Sequence, residues 1–222
     1  MLISHKKKFI FIHIFKAGGS STIELLEEYC TWKYRLTRTL PIRILISILN
    51  KIIFKSNHGN RWLYGVAKHA SWDEIKRYYS EEVYQNYKKF SIVRNPYTWC
   101  ISFYDFIKST KQNPYYLQAN SMDILEFLKF YFSKNPETQS SFVCDGSNEL
   151  MVDRIFKLEN LSQNPKEIFE FLEIEQKSFP TVNRSQGSKN VRERLGVEGI
   201  QYVNERFKVD FENFSYPMYY NS

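Results

Sequence analysis

The sequence predicts an α/β protein: a three-layer fold with a central, mainly parallel sheet flanked by helices. Three observations carry this. Short apolar runs at residues 9–14 and 90–93 are rich in β-branched and aromatic side chains, as suits strands buried on both faces. Each run passes through a turn into an amphipathic segment, and strands alternating with helices build parallel sheets. No Pro/Gly/Ser-rich linker divides the 222 residues, so residues 1–222 read as one domain with room for a sizeable core.

The elements follow in order. The first apolar run ends in Lys16 and turns through Gly18 and Gly19. Residues 20–29 then set Ile23, Leu25 and Leu26 against Glu24, Glu27 and Glu28, a helix behind a Ser/Thr cap. Residues 41–53, "PIRILISILNKII", read as a helix too short and too charged at its flanks for a membrane span. Residues 71–79 open with Ser71 and Glu74 in capping-box spacing, and 81–87 add a further turn. The second buried strand ends at Arg94, Pro96 suits the first turn of the next helix, and 99–107 continue it. Residues 121–132 form another amphipathic helix, "DRIFKLEN" from Asp153 a third core strand, and 165–172 and 198–207 two last helices.

Charge is unevenly placed. Between Tyr29 and Trp72 there is no acid, while Lys33, Arg35, Arg38, Arg43, Lys51, Lys55, Arg61 and Lys68 are cationic; the rest of the chain is close to neutral although the whole carries +7. Such a segment points to an anionic partner, a glycan or a membrane surface, or to a solvated lid helix. No recognition motif for nucleic acid accompanies it. Cys30, Cys100 and Cys144 have no metal-ligand spacing and read as buried thiols of a reducing compartment. The basic residues 1–8 lead into an apolar run broken by His13 and Lys16, unlike a secretory signal, so a cytoplasmic location is expected.

In an open parallel sheet, ligands bind beyond the carboxyl ends of the strands. The turn from Lys16 through Ala17, Gly18 and Gly19 to Ser20, Ser21 and Thr22 is such a place: glycines for a close backbone approach, N–H groups at a helix N-terminus, three hydroxyls and one cation. A Walker A loop places its lysine after the second glycine, and here the lysine comes first. At the next strand end Arg94 offers a fork for a phosphate and Ser102, two helical turns on, a hydroxyl. Two anion sites at neighbouring strand ends suit one ligand with two separated anionic groups. Three readings stay open: a transferase, a kinase-like phosphotransferase using Mg-ATP, and a non-catalytic nucleotide- or membrane-binding module.

"HIFKAGGSS" resembles the 5′-phosphosulfate loop of the sulfotransferases, and "FSIVRNPYTWCISFY" resembles their 3′-phosphate motif. "KHASWDEIKRYY", "DRIFKLENL", "TVNRSQG" and "VNERFKVDFENFSY" are similar in order and spacing to the carbohydrate-type members, so the resemblance covers nearly the whole chain. It implies a P-loop-like fold and a donor, 3′-phosphoadenosine 5′-phosphosulfate (PAPS), bound with no metal required and released as adenosine 3′,5′-bisphosphate. It implies that Lys16 contacts the transferred group and residues 17–22 wrap the 5′-phosphate. Arg94 and Ser102 hold the 3′-phosphate, and Arg184 and Ser185 in "NRSQGSK" belong to a loop closing over the nucleotide. The acceptor implied is a carbohydrate, anionic or lipid-linked in view of the basic segment. Phe15 stands where the family has proline and Ala17 where threonine is frequent.

Transfer to a hydroxyl needs a base, and histidine titrates in the right range. His5 lies in the basic amino-terminal stretch and His58 in a polar loop, both reading as bystanders; His13 reads as a core or near-site residue of the first strand. His69, just before the Ser71 cap, resembles in position the catalytic histidine of uronosyl 2-O-type sulfotransferases. It is the expected base, with Glu74 or Asp73 as the fallback.

Overall fold

The computed structural model describes residues 1–30, 69–161, 163–176 and 190–219. Its sheet holds β1 (Leu2–Ser4), β2 (Phe9–Ile12), β3 (Lys88–Val93) and β4 (Arg154–Lys157), in the order β1-β2-β3-β4. The last three run parallel, with Phe11 opposite Phe90 and Phe90 opposite Arg154. β1 lies antiparallel on the edge, Ile3 opposite Ile10. From the sequence, residues 1–8 read as a basic stretch without an element, because three strand residues are too few to show a period. Lys8, at φ 49°, makes the turn back into β2.

The helices are α1 (Gly19–Leu26) with a 3₁₀ turn at Glu27–Tyr29, α2 (Trp72–Tyr78), α3 (Glu81–Asn86), α4 (Pro96–Ser109), α5 (Tyr116–Ser121), α6 (Ile124–Lys134), α7 (Ser140–Val143), α8 (Leu158–Leu161), α9 (Lys166–Leu172), α10 (Val191–Arg206) and α11 (Lys208–Asn213). Their starts are written locally. Ser71 Oγ accepts from Glu74 N at 3.4 Å, and the Glu74 carboxylate accepts from Ser71 N at 3.1 Å, the expected capping box. Asn95 Oδ1 accepts from Tyr97 N at 3.0 Å ahead of Pro96, which opens α4. α6 starts later than the reading because a second capping box, Asp123 with Glu126, fixes its end. α10 starts earlier and kinks at Gly196, at φ 64°, where the apolar period is interrupted.

Period-two alternation divides the strands between two layers. Phe9, Phe11, Phe90 and Ile92 pack with Leu25 and Leu26 of α1 and with Ile168, Phe169 and Leu172 of α9. Ile10, Ile12 and Val93 pack with Ile75 of α2, Tyr84 of α3 and Val143 of α7. A third cluster joins Trp99 and Phe103 of α4 to Phe127 of α6, Val203 of α10 and Phe211 of α11. The fold is the mixed, mostly parallel α/β sheet flanked by helices that the sequence predicts.

Among the described residues no helix is long and apolar enough to cross a membrane. The helix read at 41–53, the basic segment at 33–68, His58, Arg184 and Ser185 lie outside the described residues.

Candidate functional site

Parallel pairing of β2 and β3, with Ile12 opposite Ser91, delivers the glycine turn and Arg94 to the same edge of the sheet. The turn is tight. Lys16 and Gly18 both adopt left-handed backbone, at φ 60° and 79°, a conformation that costs a non-glycine residue roughly 1–2 kcal/mol. Contacts from β3 and α4 hold it there: Arg94 Nη1 donates to Lys16 O at 3.4 Å, and Trp99 Nε1 donates to Phe15 O at 2.7 Å.

The two glycines serve packing. A Cβ on Gly18 would lie 2.5 Å from Leu158 Cδ1, and one on Gly19 would lie 1.8 Å from His13 Nε2. The missing side chains therefore let the turn settle on α8 and on His13, which sits one residue past β2 and is 3% exposed. Gly18, the N-cap of α1, makes no side-chain cap bond, and the first turn of the helix carries no acid. The positive end of the helix dipole therefore meets no acidic side chain of its own first turn.

The other residues of the turn differ in reach. Ser20 is exposed and Ser21 half-buried, whereas Ala17 is buried. Thr22 is buried, and its Oγ1 donates back to Gly18 O at 3.2 Å.

Arg94 is half-buried and positioned through both its backbone and its side chain. Gln139 Oε1 accepts from Arg94 N at 2.8 Å while Gln139 Nε2 donates to Arg94 O at 2.7 Å, a two-point clamp. Gln139 is itself fixed, since its N–H and that of Ser140 donate to the buried carboxylate of Asp210 at 2.9 and 2.7 Å. Arg94 Nε donates to Thr98 Oγ1 at 3.0 Å. Thr98 and Ser102, four residues apart on α4 and both largely buried, share the helix face that Arg94 lies against.

Burial lowers the Arg94 pKa, and the charges of Glu159 and Asp105 oppose that shift. Glu159 also accepts from Asn95 N at 2.9 Å and from Tyr216 Oη at 2.8 Å. Burial first, and then Glu159, push the Tyr216 phenol far up, so it stays a donor.

His69 joins the site through His13. Its Nδ1 lies 2.9 Å from His13 O. A carbonyl only accepts, so Nδ1 carries the proton, and in the neutral form of the ring the lone pair lies on Nε2. The two imidazoles stand 4.5 Å apart, and Phe11 stacks against His13 at 5.8 Å. His69 and Lys16 both line a pocket of about 240 Å³ walled by Phe15, Phe103, Phe106 and Tyr131. The Lys16 ammonium sits 4.2 Å over the Phe106 ring. The fallback carboxylates are engaged elsewhere, Asp73 with Arg77 and Glu74 in its capping box. His5 bonds Tyr87 Oη at 2.8 Å, on the exposed side of the hairpin.

Gln139, Glu159, Asp210 and Phe106 escaped the sequence reading. Gln139 is 45 residues from Arg94, and nothing in "NPETQSSFV" marks a clamp for a distant strand end.

No curated protein and no solved structure matches the chain. The model of the sulfotransferase family matches residues 1–217, a span that takes in both strand-end sites, His69 and every strand of the sheet; the chain belongs to that family, whose members transfer sulfuryl groups.

Proposed function

We propose that the protein transfers a sulfuryl group from PAPS to a hydroxyl of a carbohydrate, with His69 as general base. The observation that carries this reading is the meeting of Lys16 and His69 on one pocket, with His69 Nδ1 committed to His13 O. The site also suits the donor. The uncapped, acid-free start of α1 offers N–H groups to a 5′-phosphate, and Arg94 with Ser102 on the adjoining strand end and helix offers a second anion site for the 3′-phosphate.

The donor supplies the sulfuryl group and departs as adenosine 3′,5′-bisphosphate. The chain's residues do the rest. His69 Nε2 takes the proton from the acceptor hydroxyl, a contribution of ~10²–10⁴ in rate. The Lys16 ammonium neutralises the charge building on the leaving phosphate, and no metal is required. The aromatic walls exclude water from the reacting groups.

The reading places the enzyme in the cytoplasm, in keeping with cysteines that are all buried and unpaired. It treats residues 1–222 as one domain, in keeping with the extent of the family match, and gives the basic 33–68 segment to the acceptor or to a membrane that carries it.

Calorimetric titration with adenosine 3′,5′-bisphosphate and, separately, with Mg-ATP tests this. Selective binding of the bisphosphate, lost in Arg94→Ala, is expected. Preference for Mg-ATP would replace the reading with a phosphotransferase.

A further inference from the structure

Arg94 stands between two residues that distant parts of the chain reach. In the parallel pairing of β3 with β4, Val93 lies opposite Lys157, so the two strands end side by side and the residues just beyond them, Asn95 and Glu159, meet. Glu159, in the first turn of α8, accepts from Asn95 N at 2.9 Å through Oε1 and from Tyr216 Oη at 2.8 Å through Oε2. The same phenol oxygen stands 3.5 Å from Val93 O. Gln139 holds the other edges, Arg94 N and Arg94 O. Each of the two peptide planes flanking the Arg94 Cα is thus met from both sides, by Gln139 on one and by Tyr216 or Glu159 on the other.

Tyr216 is brought there by a braced turn. It follows α11, where Ser215 takes left-handed backbone at φ 50° and its carbonyl accepts from Lys157 Nζ at 2.8 Å. The Lys157 ammonium also lies 4.5 Å over the Tyr216 ring. Three residues on, Tyr219 N donates to Tyr97 Oη at 2.7 Å, and the two rings stack at 4.8 Å. The stretch from Ser215 to Tyr219 therefore crosses the joint between β3 and α4 and fastens to it.

A guanidinium that takes a phosphate through two parallel hydrogen bonds needs its backbone fixed, because a small rotation of either flanking peptide misaligns both bonds. Charge alone would put a carboxylate at a disadvantage beside such a site, since it repels an incoming anion. Its hydrogen bonds give it a different use: each oxygen has a donor of its own, one a backbone N–H and the other a phenol that burial keeps protonated.

We infer that Glu159 and Tyr216 are positioning residues for Arg94, and that through them the segment after α11 sets how strongly the protein favours a nucleotide with a 3′-phosphate. This rests on the proposed sulfotransferase reading, which gives the 3′-phosphate to Arg94.

Calorimetric titration of the full chain with adenosine 3′,5′-bisphosphate and with adenosine 5′-phosphate, which differs by the 3′-phosphate alone, tests it. Tyr216→Phe keeps the ring that Lys157 covers and deletes the hydroxyl. It should weaken the bisphosphate about fivefold, the weight of one hydrogen bond, and leave the monophosphate within about twofold. Glu159→Ala should weaken the bisphosphate by about tenfold or more although it removes a negative charge beside the anion, whereas a carboxylate acting by charge alone would give a gain. Unchanged monophosphate affinity also reports that the variants fold. Equal losses for the two nucleotides in Tyr216→Phe, no loss in that variant, or a gain for the bisphosphate in Glu159→Ala would overturn the inference. Wild-type protein that binds the two nucleotides equally, or binds neither, would overturn the reading of the site beneath it.

Discussion

Gly19 and His13 occupy the same space: a Cβ on Gly19 would lie 1.8 Å from His13 Nε2. His13 has little room to withdraw, being buried and in ring contact with Phe11 at 5.8 Å and His69 at 4.5 Å. The glycine of the proposed anion-binding turn is thus linked, through one imidazole, to the proposed base.

Gly19→Ala is expected to destabilise the fold by about 1–3 kcal/mol, the range for forcing extra atoms into a packed site. It should also displace His69 and lower turnover. The double variant Gly19→Ala/His13→Ala should recover much of the stability and little of the activity. Denaturant unfolding of the three proteins checks this, and equal stability of Gly19→Ala and wild type would show that the contact is easily relieved.

His69→Ala should cost roughly 10²–10⁴ in turnover while bisphosphate affinity stays within experimental error. A single-turnover assay beside the titration separates the two quantities. Normal turnover would remove His69 from the base role.

Gln139→Ala removes both halves of the clamp on the half-buried Arg94 backbone, at a cost of about 1–3 kcal/mol. The effect should appear first in the donor: KM for PAPS rises, and turnover at saturating donor falls less. A pure stability loss with unchanged donor KM would make Gln139 a packing residue only.

Trp99→Phe keeps a ring in the core and deletes the 2.7 Å bond to Phe15 O. A loss of about 1–3 kcal/mol in unfolding free energy is expected, because the half-buried Phe15 carbonyl loses its donor. Since Phe15 is also a wall of the pocket, acceptor binding should weaken in parallel.

Asp105→Asn gives the opposite expectation. Arg194 and Asp105 pair at 2.6 Å across α4 and α10, yet their side chains are 36% and 40% exposed. Such pairs contribute ~0.2–1 kcal/mol and are screened by salt. Thermal melts at low and high ionic strength should differ slightly in wild type and not in the variant.

The sequence by itself determined whatever depends on neighbours along the chain. The capping boxes of Ser71 and Asp123, Pro96 at the start of α4 and the buried runs of β2 and β3 are set by hydrogen bonds and apolar periods within a few residues. The pairing of the glycine turn with Arg94 was legible too, because parallel strands followed by helices leave their carboxyl ends on one edge.

The tertiary structure alone decided what rests on segments that meet only when the chain closes. It set the antiparallel edge strand at Leu2–Ser4 and the hold of Gln139 and Asp210 on Arg94, and it assigned the glycine space to Leu158 and His13. It also set the tautomer of His69 through His13 O and the ring of aromatic side chains around Lys16. None of these has a local signature. Each is a contact between residues far apart in sequence, whose worth comes from burial and from satisfying polar groups that the rest of the fold has already removed from water.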